Sequence, residues 1–361
     1  MIMTPKPLMY QSKGFTLIEV LIGVVIGLLG IVVMFQMLSM WDSLKRTTAA
    51  GSDAQIAGTV AMASLERDLR PAGMGFGKGV DNTPVPSMGC TVSAKGPTAS
   101  FLLAPVRIVF GAGGAPDQII TLYGNSTLFV STQKFKSSTA DSKTVDGSHG
   151  GFKVGDVVVA GGATAAVACE LFEVSDVTTA VGTLKYSGLR FNPAPALTPA
   201  TSGFLYNLGP MPQRNVWSIV NEKLYRQDSL YAAAAVEVAD NVIDLQAQYG
   251  TDTNEDGRVA DDGTTTLCTV TNEWCDAAPA NWTHVIAVRF ALLSRSQQFE
   301  KIEVTDGGAG TAPAPTWAGG DFTMTAVAGA AGDVANWKRY RYRVYEKVIP
   351  LRNMVWGGEF K

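Results

Sequence analysis

Hydrophobic residues fill the chain almost without interruption from Phe15 to Trp41, and Glu19 is the only ionisable side chain among them. This run exceeds the roughly 20 apolar residues that a helix needs to cross the hydrocarbon core of a bilayer. It is longer than the apolar part of a secretory signal, and no small-residue cleavage site follows it. The pattern therefore predicts a membrane helix over residues 15–41 that the protein retains.

A different pattern follows in residues 42–71, which contain no proline before Pro71. Apolar side chains recur there at mostly three- and four-residue steps, as an amphipathic helix requires. They are Leu44, Ala54, Ala57, Ala61, Leu65 and Leu69. Pro71 followed by Gly73 predicts the end of the helix, whereas Gly51 and Gly58 count against its continuity. We expect one long helix whose second half lies against a domain.

Short β-rich runs separated by Gly, Asn, Asp and Pro turns dominate residues 72–361. One hairpin is expected to turn near Asn221, and residues 339–353 predict a long edge strand with a charged solvent face. The glycine-rich residues 72–79 predict a flexible connecting loop, and the Gly/Ala/Thr-rich residues 305–336 predict a long surface loop. The fold class that follows is α+β, with a long N-terminal helix packed on an antiparallel β-sheet domain.

Composition and charge narrow the possible classes of function. Of the 361 residues, 46% are hydrophobic and 17% are charged, which is typical of an ordered rather than a disordered chain. The net charge of −3 gives no electrostatic case for a nucleic-acid partner. The chain has two histidines and contains no nucleophile elbow, HExxH motif or nucleotide-binding fingerprint. We therefore expect a protein that is not an enzyme.

The chain has four cysteines, Cys90, Cys169, Cys268 and Cys275, and none of them forms a CxxC pair. An even number of cysteines in an exported chain suggests disulfides, for which three connectivities exist. Cys268 and Cys275 would close a short loop and are favoured as a local pair, which leaves Cys90 to pair with Cys169. The alternative is that the cysteines are free, buried thiols.

One acidic segment has the spacing of a metal site. TDTNEDGRVADDG, residues 251–263, places Asp252, Asn254 and Asp256 at alternate positions, and Gly257 follows them. This order resembles the first half of an EF-hand-type calcium loop, in which alternating oxygen ligands surround one ion and the glycine permits a sharp turn.

The second half of that loop departs from the pattern. Arg258 could offer its backbone carbonyl, but Gly263 stands where the usual twelfth-position carboxylate is expected. Asp261 or Asp262 would have to substitute for it. We expect a structural Ca²⁺ ion at this loop, and the alternative is a solvated acidic turn between strands.

The residues around Glu19 resemble a known signature. The segment KGFTLIEV, which begins at Lys13, is similar to the prepilin signature of type IV pilins and type II secretion pseudopilins. The resemblance implies that a prepilin peptidase removes residues 1–14 by cutting between Gly14 and Phe15, and then methylates the new amino terminus. It also implies that Glu19, the fifth residue of the mature chain, meets the charged amino terminus of a neighbouring subunit.

Elementary electrostatics agrees with that role for Glu19. Opposite charges in a low-dielectric layer are each costly alone and attract strongly when paired. The alternative is a carboxylate that lies near the lipid headgroups, where the helix dipole favours an anion. Lys6 and Lys13 place the leader in the cytoplasm by the positive-inside rule, so the domain is expected in the periplasm. The expected location is the inner membrane before assembly and the pilus or cell surface afterwards.

Further segments resemble PilW-type minor pilins. They are LERDLR at residues 65–70, Cys90, VIDLQAQYG at residues 242–250 and VIPLRN at residues 348–353. The resemblance implies a pilin-like fold and a low-abundance subunit that primes pilus assembly with other minor and major pilins on the inner-membrane assembly platform. It further implies a place in a tip complex with an adhesin, in support of twitching motility and adhesion. The alternatives are a J-type pseudopilin of type II secretion and a membrane-tethered adhesin or binding module.

Overall fold

The structure is a computed structural model, and it describes residues 14–77, 85–94, 100–128, 132–147, 150–178, 182–188, 190–191, 200–264, 267–330, 332 and 334–355. For residues 42–44, 46–51 and 53 it describes the backbone alone. The predicted leader therefore lies outside the described residues, apart from Gly14. The chain divides into two compact units, Met1–Gly51 and Ser52–Lys361, and each is described by itself.

The first helix, α1, spans Leu17–Leu69. In the first unit, its stretch Leu17–Trp41 is long and apolar enough to cross a membrane, and all of its side chains are exposed. The apolar surface covers every side of the helix, unlike the single apolar stripe of a helix packed on a soluble core. The predicted helix is confirmed, and its length and composition suit a membrane span.

The last turns of α1, from Ser52 to Leu69, belong to the second unit. The buried side chains there include those that the periodicity predicted: Ala54, Ala57, Ala61, Leu65 and Leu69. The side chain of Leu44 lies outside the described part. The helix runs through Gly58, where a Cβ atom would come within 2.1 Å of the Tyr345 ring. This glycine therefore allows a close contact between helix and sheet rather than interrupting the helix.

Twenty strands lie within the described residues of the second unit. In chain order they are β1 (Thr91–Ser93), β2 (Ser100–Leu102), β3 (Val106–Val109), β4 (Gln118–Tyr123), β5 (Gln133–Ser138), β6 (Ser142–Val145), β7 (Val157–Gly161), β8 (Cys169–Glu173), β9 (Asp176–Thr178), β10 (Thr183–Lys185), β11 (Gly203–Gly209), β12 (Gln213–Val220), β13 (Lys223–Asp228), β14 (Val236–Ala239), β15 (Val242–Thr251), β16 (Trp274–Cys275), β17 (Val285–Arg295), β18 (Thr316–Trp317), β19 (Gly320–Asp321) and β20 (Tyr342–Pro350). Two short helices, α2 (Met324–Ala330) and α3 (Arg352–Val355), lie near the end of the chain.

These strands form three large sheets and one hairpin. The first sheet has the order β2-β1-β8-β7-β11-β5-β6-β10-β9, the second β14-β13-β12-β4-β3 and the third β16-β15-β17-β20, while β18 pairs with β19. Paired strands are antiparallel except for β1 and β8. The predicted α+β class, with a helix packed on an antiparallel β-sheet domain, is confirmed.

One hydrophobic core joins the helix to all three large sheets. It contains Leu65 from α1, Val159 from β7, Trp217 from β12 and Leu245 from β15, all of them buried. Because the same core touches each sheet, the buried face of α1 is part of what holds the sheets together.

Two local predictions at the strands agree with the structure. The turn between β12 and β13 is made by Asn221 (φ 50°) and Glu222 (φ 63°), and two positive φ angles are typical of a tight hairpin turn. β20 is an edge strand of the third sheet, although it begins at Tyr342 because residues Trp337–Arg339 form a 3₁₀ turn.

The prediction of a long surface loop at residues 305–336 is wrong in part. This segment contains the β18–β19 hairpin and α2, and its side chains Phe322, Met324 and Val327 are buried. They pack against apolar residues of β15 and β17 in a small core of their own. A few buried apolar side chains therefore order a segment whose composition alone suggests a loop.

The connection after α1 is packed into the domain over residues 72–76, where a flexible loop was expected. Ala72 and Phe76 are buried, and the backbone N–H of Gly73 (φ 82°) donates a hydrogen bond to the Leu122 carbonyl oxygen at 2.9 Å. A positive φ at this position is readily adopted by glycine. The helix end is thereby joined to the second sheet by backbone contacts.

Candidate assembly site

The start of α1 carries the residues predicted for processing and assembly. Gly14 and Phe15 precede the helix and are exposed, Phe15 by 84%. Glu19 lies in the first turn of the helix, where its backbone N–H donates to the Thr16 carbonyl oxygen at 3.0 Å. The glutamate side chain is also exposed. The predicted cleavage position and the carboxylate of Glu19 thus lie within residues 14–19, next to the start of the helix.

The surface that follows Glu19 is apolar on all sides. The large hydrophobic side chains from Leu17 to Trp41 are between 49% and 81% exposed. Each Å² of apolar surface left in water costs about 25 cal/mol, so a helix of this kind is stable only in lipid or against other apolar helices. Its backbone satisfies its own hydrogen bonds, as a membrane segment must.

Asp68 anchors the end of α1 to the second sheet. Its buried carboxylate accepts hydrogen bonds from Tyr123 Oη at 2.6 Å, Trp217 Nε1 at 2.7 Å, Asn215 Nδ2 at 2.9 Å and Thr121 Oγ1 at 3.0 Å. The donors lie on the neighbouring strands β4 and β12. Burial of a carboxylate is costly unless hydrogen bonds replace its hydration, and here four polar side chains supply them.

Sequence reasoning missed the role of Asp68, although a signal for it exists. Asp68 follows Leu65 by three residues and therefore lies on the buried face of the helix. A charged residue within an apolar stripe needs partners on the facing element. The identity of those partners is visible only once β4 and β12 are paired.

The third sheet holds the same helix through polar contacts. Tyr345 Oη donates to the Gln55 carbonyl oxygen at 3.1 Å, and Lys347 Nζ forms an ion pair with Glu66 at 2.6 Å. Hydrogen bonds from Lys347 and Arg70 hold the pKa of Glu66 below its ordinary value. The edge strand β20 thus fixes the solvent-side edge of α1.

Two disulfides join the cysteines of the domain. Cys90 bonds Cys169, so the segment before β1 is linked to β8, and Cys268 bonds Cys275 across a separation of seven residues. This is the pairing favoured by the short loop between Cys268 and Cys275. The first bond closes a long loop and restricts the unfolded chain more than the second does.

The acidic loop turns around the carboxylate of Asp252. Asp252 Oδ1 accepts from the backbone N–H of Asp256 at 3.0 Å, and Oδ2 accepts from that of Gly257 at 2.8 Å. Gly257 has φ 80°, which agrees with the sharp turn that the sequence predicts. Asn254 Oδ1 also accepts from the Asp256 N–H, at 3.1 Å. The alternating side chains therefore order the loop by accepting backbone hydrogen bonds.

Glu273 joins the two ends of this loop by hydrogen bonds, and sequence reasoning missed it. The side chain is fully buried, and its Oε1 accepts from the Thr253 backbone N–H at 2.7 Å while Oε2 accepts from that of Ala260 at 3.0 Å. One carboxylate thus bridges both sides of the loop. The only signal in the sequence is its position beside Trp274 and Cys275, two residue types that are usually buried.

The other predicted calcium ligands have separate partners. Asp261 Oδ2 forms an ion pair with Arg289 Nη1 at 3.1 Å, and Asp262 Oδ1 accepts from the Thr264 N–H at 2.9 Å. Among the described residues no group of three histidine, cysteine, aspartate or glutamate side chains is arranged to hold a metal ion. Oxygen donors of the kind that Ca²⁺ prefers remain at Asp252, Asn254 and Asp256. The ligand set therefore stays a prediction.

We propose that this loop binds one structural Ca²⁺ ion with low affinity. At about 5 mM Ca²⁺ and a millimolar dissociation constant, binding to the folded state alone should add about 1 kcal/mol of stability and raise the Tm by a few degrees. The double variant Asp252→Ala, Asp256→Ala should abolish this rise, whereas Asp276→Ala, an exposed aspartate outside the loop, should keep it. Thermal melts with Ca²⁺ and with EGTA measure the effect, and identical curves for the unmodified chain would favour a plain acidic turn.

Two buried carboxylates lie where β15 meets the loop before β4. Asp117 accepts backbone N–H bonds from Gly111 and Ala247, both at 2.8 Å, and burial raises its pKa to about 6. Asp244 is fully buried, and burial raises its pKa to about 7 despite hydrogen bonds from Gln246 and Leu245. Its Oδ2 makes no hydrogen bond to any residue that the structure describes. At both sites, burial favours the neutral acid more than water does.

The domain is therefore expected to lose stability as the pH rises from 4 to 8. A carboxyl group whose folded pKa is raised contributes stability that is fully present below its unfolded pKa near 4 and is lost as the pH rises through about 7. Asp244→Asn cannot ionise and should flatten this fall, with a gain on the order of 2 kcal/mol at pH 8. Urea unfolding at several pH values measures it, with the exposed Asp240→Asn as control. An unchanged slope in Asp244→Asn would contradict the assignment.

Two family models match parts of the chain. Residues 9–35 match the family model of the prokaryotic N-terminal methylation motif, and the protein is type IV pilin-like. Residues 215–353 match the model of type IV pilus-assembly protein W, and the two matches together support a PilW-type minor pilin related to the type IV pilus. These families are structural rather than enzymatic. The second match includes Asn215, Trp217, Tyr345 and Lys347, which contact α1.

No curated protein and no solved structure matches the chain.

Proposed function

We propose that this minor pilin helps to prime the assembly of a type IV pilus and lies in a complex at the pilus tip. The observation that carries the proposal is the predominantly apolar, exposed helix surface from Leu17 to Trp41, with Glu19 in its first turn. Such a surface requires lipid before assembly and the helices of other pilins afterwards. The match to the pilus-assembly family supports the pilus as the place of that exchange.

In the proposed order of events, cleavage of the leader precedes the pairing of Glu19 with the amino terminus of a neighbouring pilin. Prepilin peptidase cuts between Gly14 and Phe15 and methylates the new amino terminus, while the domain lies in the periplasm. Glu19 then stands four residues from that terminus at the start of the apolar helix. On the inner-membrane assembly platform, the Glu19 carboxylate pairs with the positive amino terminus of a neighbouring pilin, because an isolated charge in hydrocarbon is costly and a paired one much less so.

The folded domain supplies the surface that other minor pilins, the major pilin and a tip adhesin contact. It holds the last turns of α1, which belong to the same unit, through Asp68, Tyr345 and Lys347. The subunit thereby supports twitching motility and adhesion as a structural component. The J-type pseudopilin of type II secretion shares the anchor, and it is distinguished by phenotype.

Deletion of the gene distinguishes the pilus role from that of a type II secretion pseudopilin. We expect loss of twitching and of surface pili with protein secretion intact, and restoration of both by the full chain supplied in trans. Intact pili together with lost secretion would overturn the pilus assignment in favour of the pseudopilin. Copurification of a tagged chain with other prepilins, compared with a tagged chain that lacks residues 15–41, tests the predicted partners directly.

A further inference from the structure

A cavity of about 260 Å³ opens on one face of the third sheet. Its floor is formed by Arg289 and Val348, which are paired across β17 and β20, and Gln248 of β15 pairs with Arg289 from the other side. Lys347, which forms an ion pair with Glu66 of α1, also lines the cavity, whereas Tyr345, which donates to Gln55 of α1, does not. The cavity therefore adjoins the helix attachment described above at Lys347.

Arg289 is held rigidly at the floor of this cavity. The residue is only 5% exposed, and its Nε donates to Gln248 Oε1 at 2.5 Å while Nη1 contacts Asp261 at 3.1 Å. Its guanidinium lies 4.5 Å from the ring centroid of Trp274 and 5.8 Å from that of Trp317. The remaining Nη2 makes no hydrogen bond to any residue that the structure describes, so its two donors are available to a ligand.

The two tryptophans are placed by glycines. A Cβ atom at Gly250 would come within 2.9 Å of the Trp274 ring, so this glycine lets the ring lie over β15. A Cβ atom at Gly319 would come within 2.2 Å of the Trp317 ring, so that glycine lets the ring fold back across the β18–β19 hairpin. Trp317 is half-buried and provides an aromatic wall of the cavity.

The hairpin that carries Trp317 is tied to the sheet by polar contacts. The Ala318 backbone N–H donates to Glu346 Oε2 at 2.9 Å, and Gln248 Nε2 donates to the Gly319 carbonyl oxygen at 3.4 Å. Glu346 is exposed and lines the cavity, and its Oε1 makes no hydrogen bond to any described residue. The cavity thus offers a hydrogen-bond acceptor at Glu346, a donor at Arg289 and an aromatic wall at Trp317.

We propose that this cavity binds one neutral pyranose ring of a saccharide. A pyranose has an apolar face of C–H groups that stacks on an aromatic ring and a rim of hydroxyl groups that both donate and accept hydrogen bonds. Small-molecule sites combine aromatic walls with a few placed polar groups in this way. The volume suits one sugar ring, being slightly smaller than the usual range for drug-sized ligands.

The charges of the cavity favour a neutral ligand over a charged one. An anion would approach Arg289 but would be repelled by the carboxylates of Asp261 and Glu346, which line the same cavity. A cation would meet those carboxylates but would be repelled by the guanidinium stacked on Trp274. Hydroxyl groups satisfy both kinds of partner without either penalty. This inference does not depend on the proposed role in pilus assembly.

Saturation-transfer difference NMR tests the proposal with the full chain in a detergent that lacks a sugar headgroup. The probes are the methyl pyranosides of glucose, galactose, mannose and N-acetylglucosamine. At least one should receive saturation at its ring C–H protons, with a dissociation constant on the order of millimolar, as expected for so small a ligand. Trp317→Ala should weaken binding roughly tenfold or more, and Glu346→Gln by a few-fold. Phe299→Ala, an exposed aromatic residue outside the cavity, should bind as the unmodified chain does.

Three results would overturn the proposal. They are no transfer to any of the four pyranosides, equal affinity in the unmodified chain and both cavity variants, and stronger transfer to N-acetyltryptophanamide than to every sugar. The last result would identify a site for a peptide side chain. Glu346→Gln alters an exposed side chain and preserves its shape, so it remains informative if Trp317→Ala does not fold.

Discussion

Glu19→Ala is expected to leave the chain cleaved and inserted in the membrane while reducing the number of surface pili by roughly tenfold or more. Cleavage requires the segment around Gly14 and Phe15, which the substitution does not alter. Membrane insertion should be unchanged or more favourable, because a carboxylate within an apolar helix opposes insertion. What is lost is the partner for a positive amino terminus in a low-dielectric environment. Immunoblotting for the processed chain and electron microscopy of pili measure the two effects.

The matched control lies in the same helix. Gln36→Ala removes an exposed polar side chain from the apolar segment without removing a charge, and it should leave pilus number unchanged. Glu19→Gln retains the shape of the side chain but removes its charge, so it should reduce the number of surface pili as Glu19→Ala does. Normal pilus numbers in Glu19→Ala would contradict the charge-pairing role and favour a carboxylate that lies passively near the headgroups.

Asp68→Ala is expected to destabilise the domain by about 3 kcal/mol or more. The substitution leaves the buried donors of Thr121 and Trp217 without their acceptor, and each unsatisfied buried donor costs about 1–3 kcal/mol. Asn215 loses its shortest hydrogen bond and keeps longer ones to Gln213 and Tyr123. The substitution also removes the bond from Tyr123, whose pKa is raised by burial and by its contact with Asp68. Urea unfolding followed by tryptophan fluorescence measures the loss.

Two further variants test whether the lost hydrogen bonds of Asp68 cause this loss of stability. Arg67→Ala changes the exposed neighbour of Asp68 on the same helix and should alter stability by less than about 0.5 kcal/mol. Asp68→Asn retains one acceptor oxygen and should fall between the two. A loss in Asp68→Ala no larger than that in Arg67→Ala would show that the four hydrogen bonds do not anchor the helix.

The helical part of the fold follows from the sequence because its pattern is local. Residues recurring every three or four positions share one face, and Ala57, Ala61, Leu65 and Leu69 are buried for that reason. The position of Asp68 on the same face was also open to prediction. Its partners on β4 and β12 were not, since they lie 53 to 149 residues further along the chain and meet only through strand register.

The acidic loop shows the same division between local and distant information. The spacing of Asp252, Asn254 and Gly257 predicts a sharp turn, because the side chains of Asp252 and Asn254 reach backbone groups only a few residues away. Glu273 lies beyond that range and is brought in by the pairing of β16 with β15. The cavity lined by Trp274, Arg289 and Trp317 likewise has no sequence motif, because its lining comes from four separate strands, β16, β17, β18 and β20, and from the acidic loop.

The segment 305–336 was mispredicted for a related reason. Its many small residues suggest a loop, and the few apolar ones carry no clear period. Met324 and Val327 form part of a helix because Ile243, Ala291 and Leu293 provide an apolar surface on the opposite side. Tertiary burial of this kind overrides local propensity, and it cannot be read without knowing which strands are adjacent.

Mass spectrometry of the mature amino terminus tests the central claim most directly, namely that the chain is processed as a prepilin and retains its apolar helix. The account predicts a chain that begins with N-methylated Phe15 and still contains residues 15–41. Its appearance should depend on prepilin peptidase, and a strain without that enzyme should show the unprocessed chain. An intact leader in the wild-type strain, or a cut after residue 41, would contradict the account.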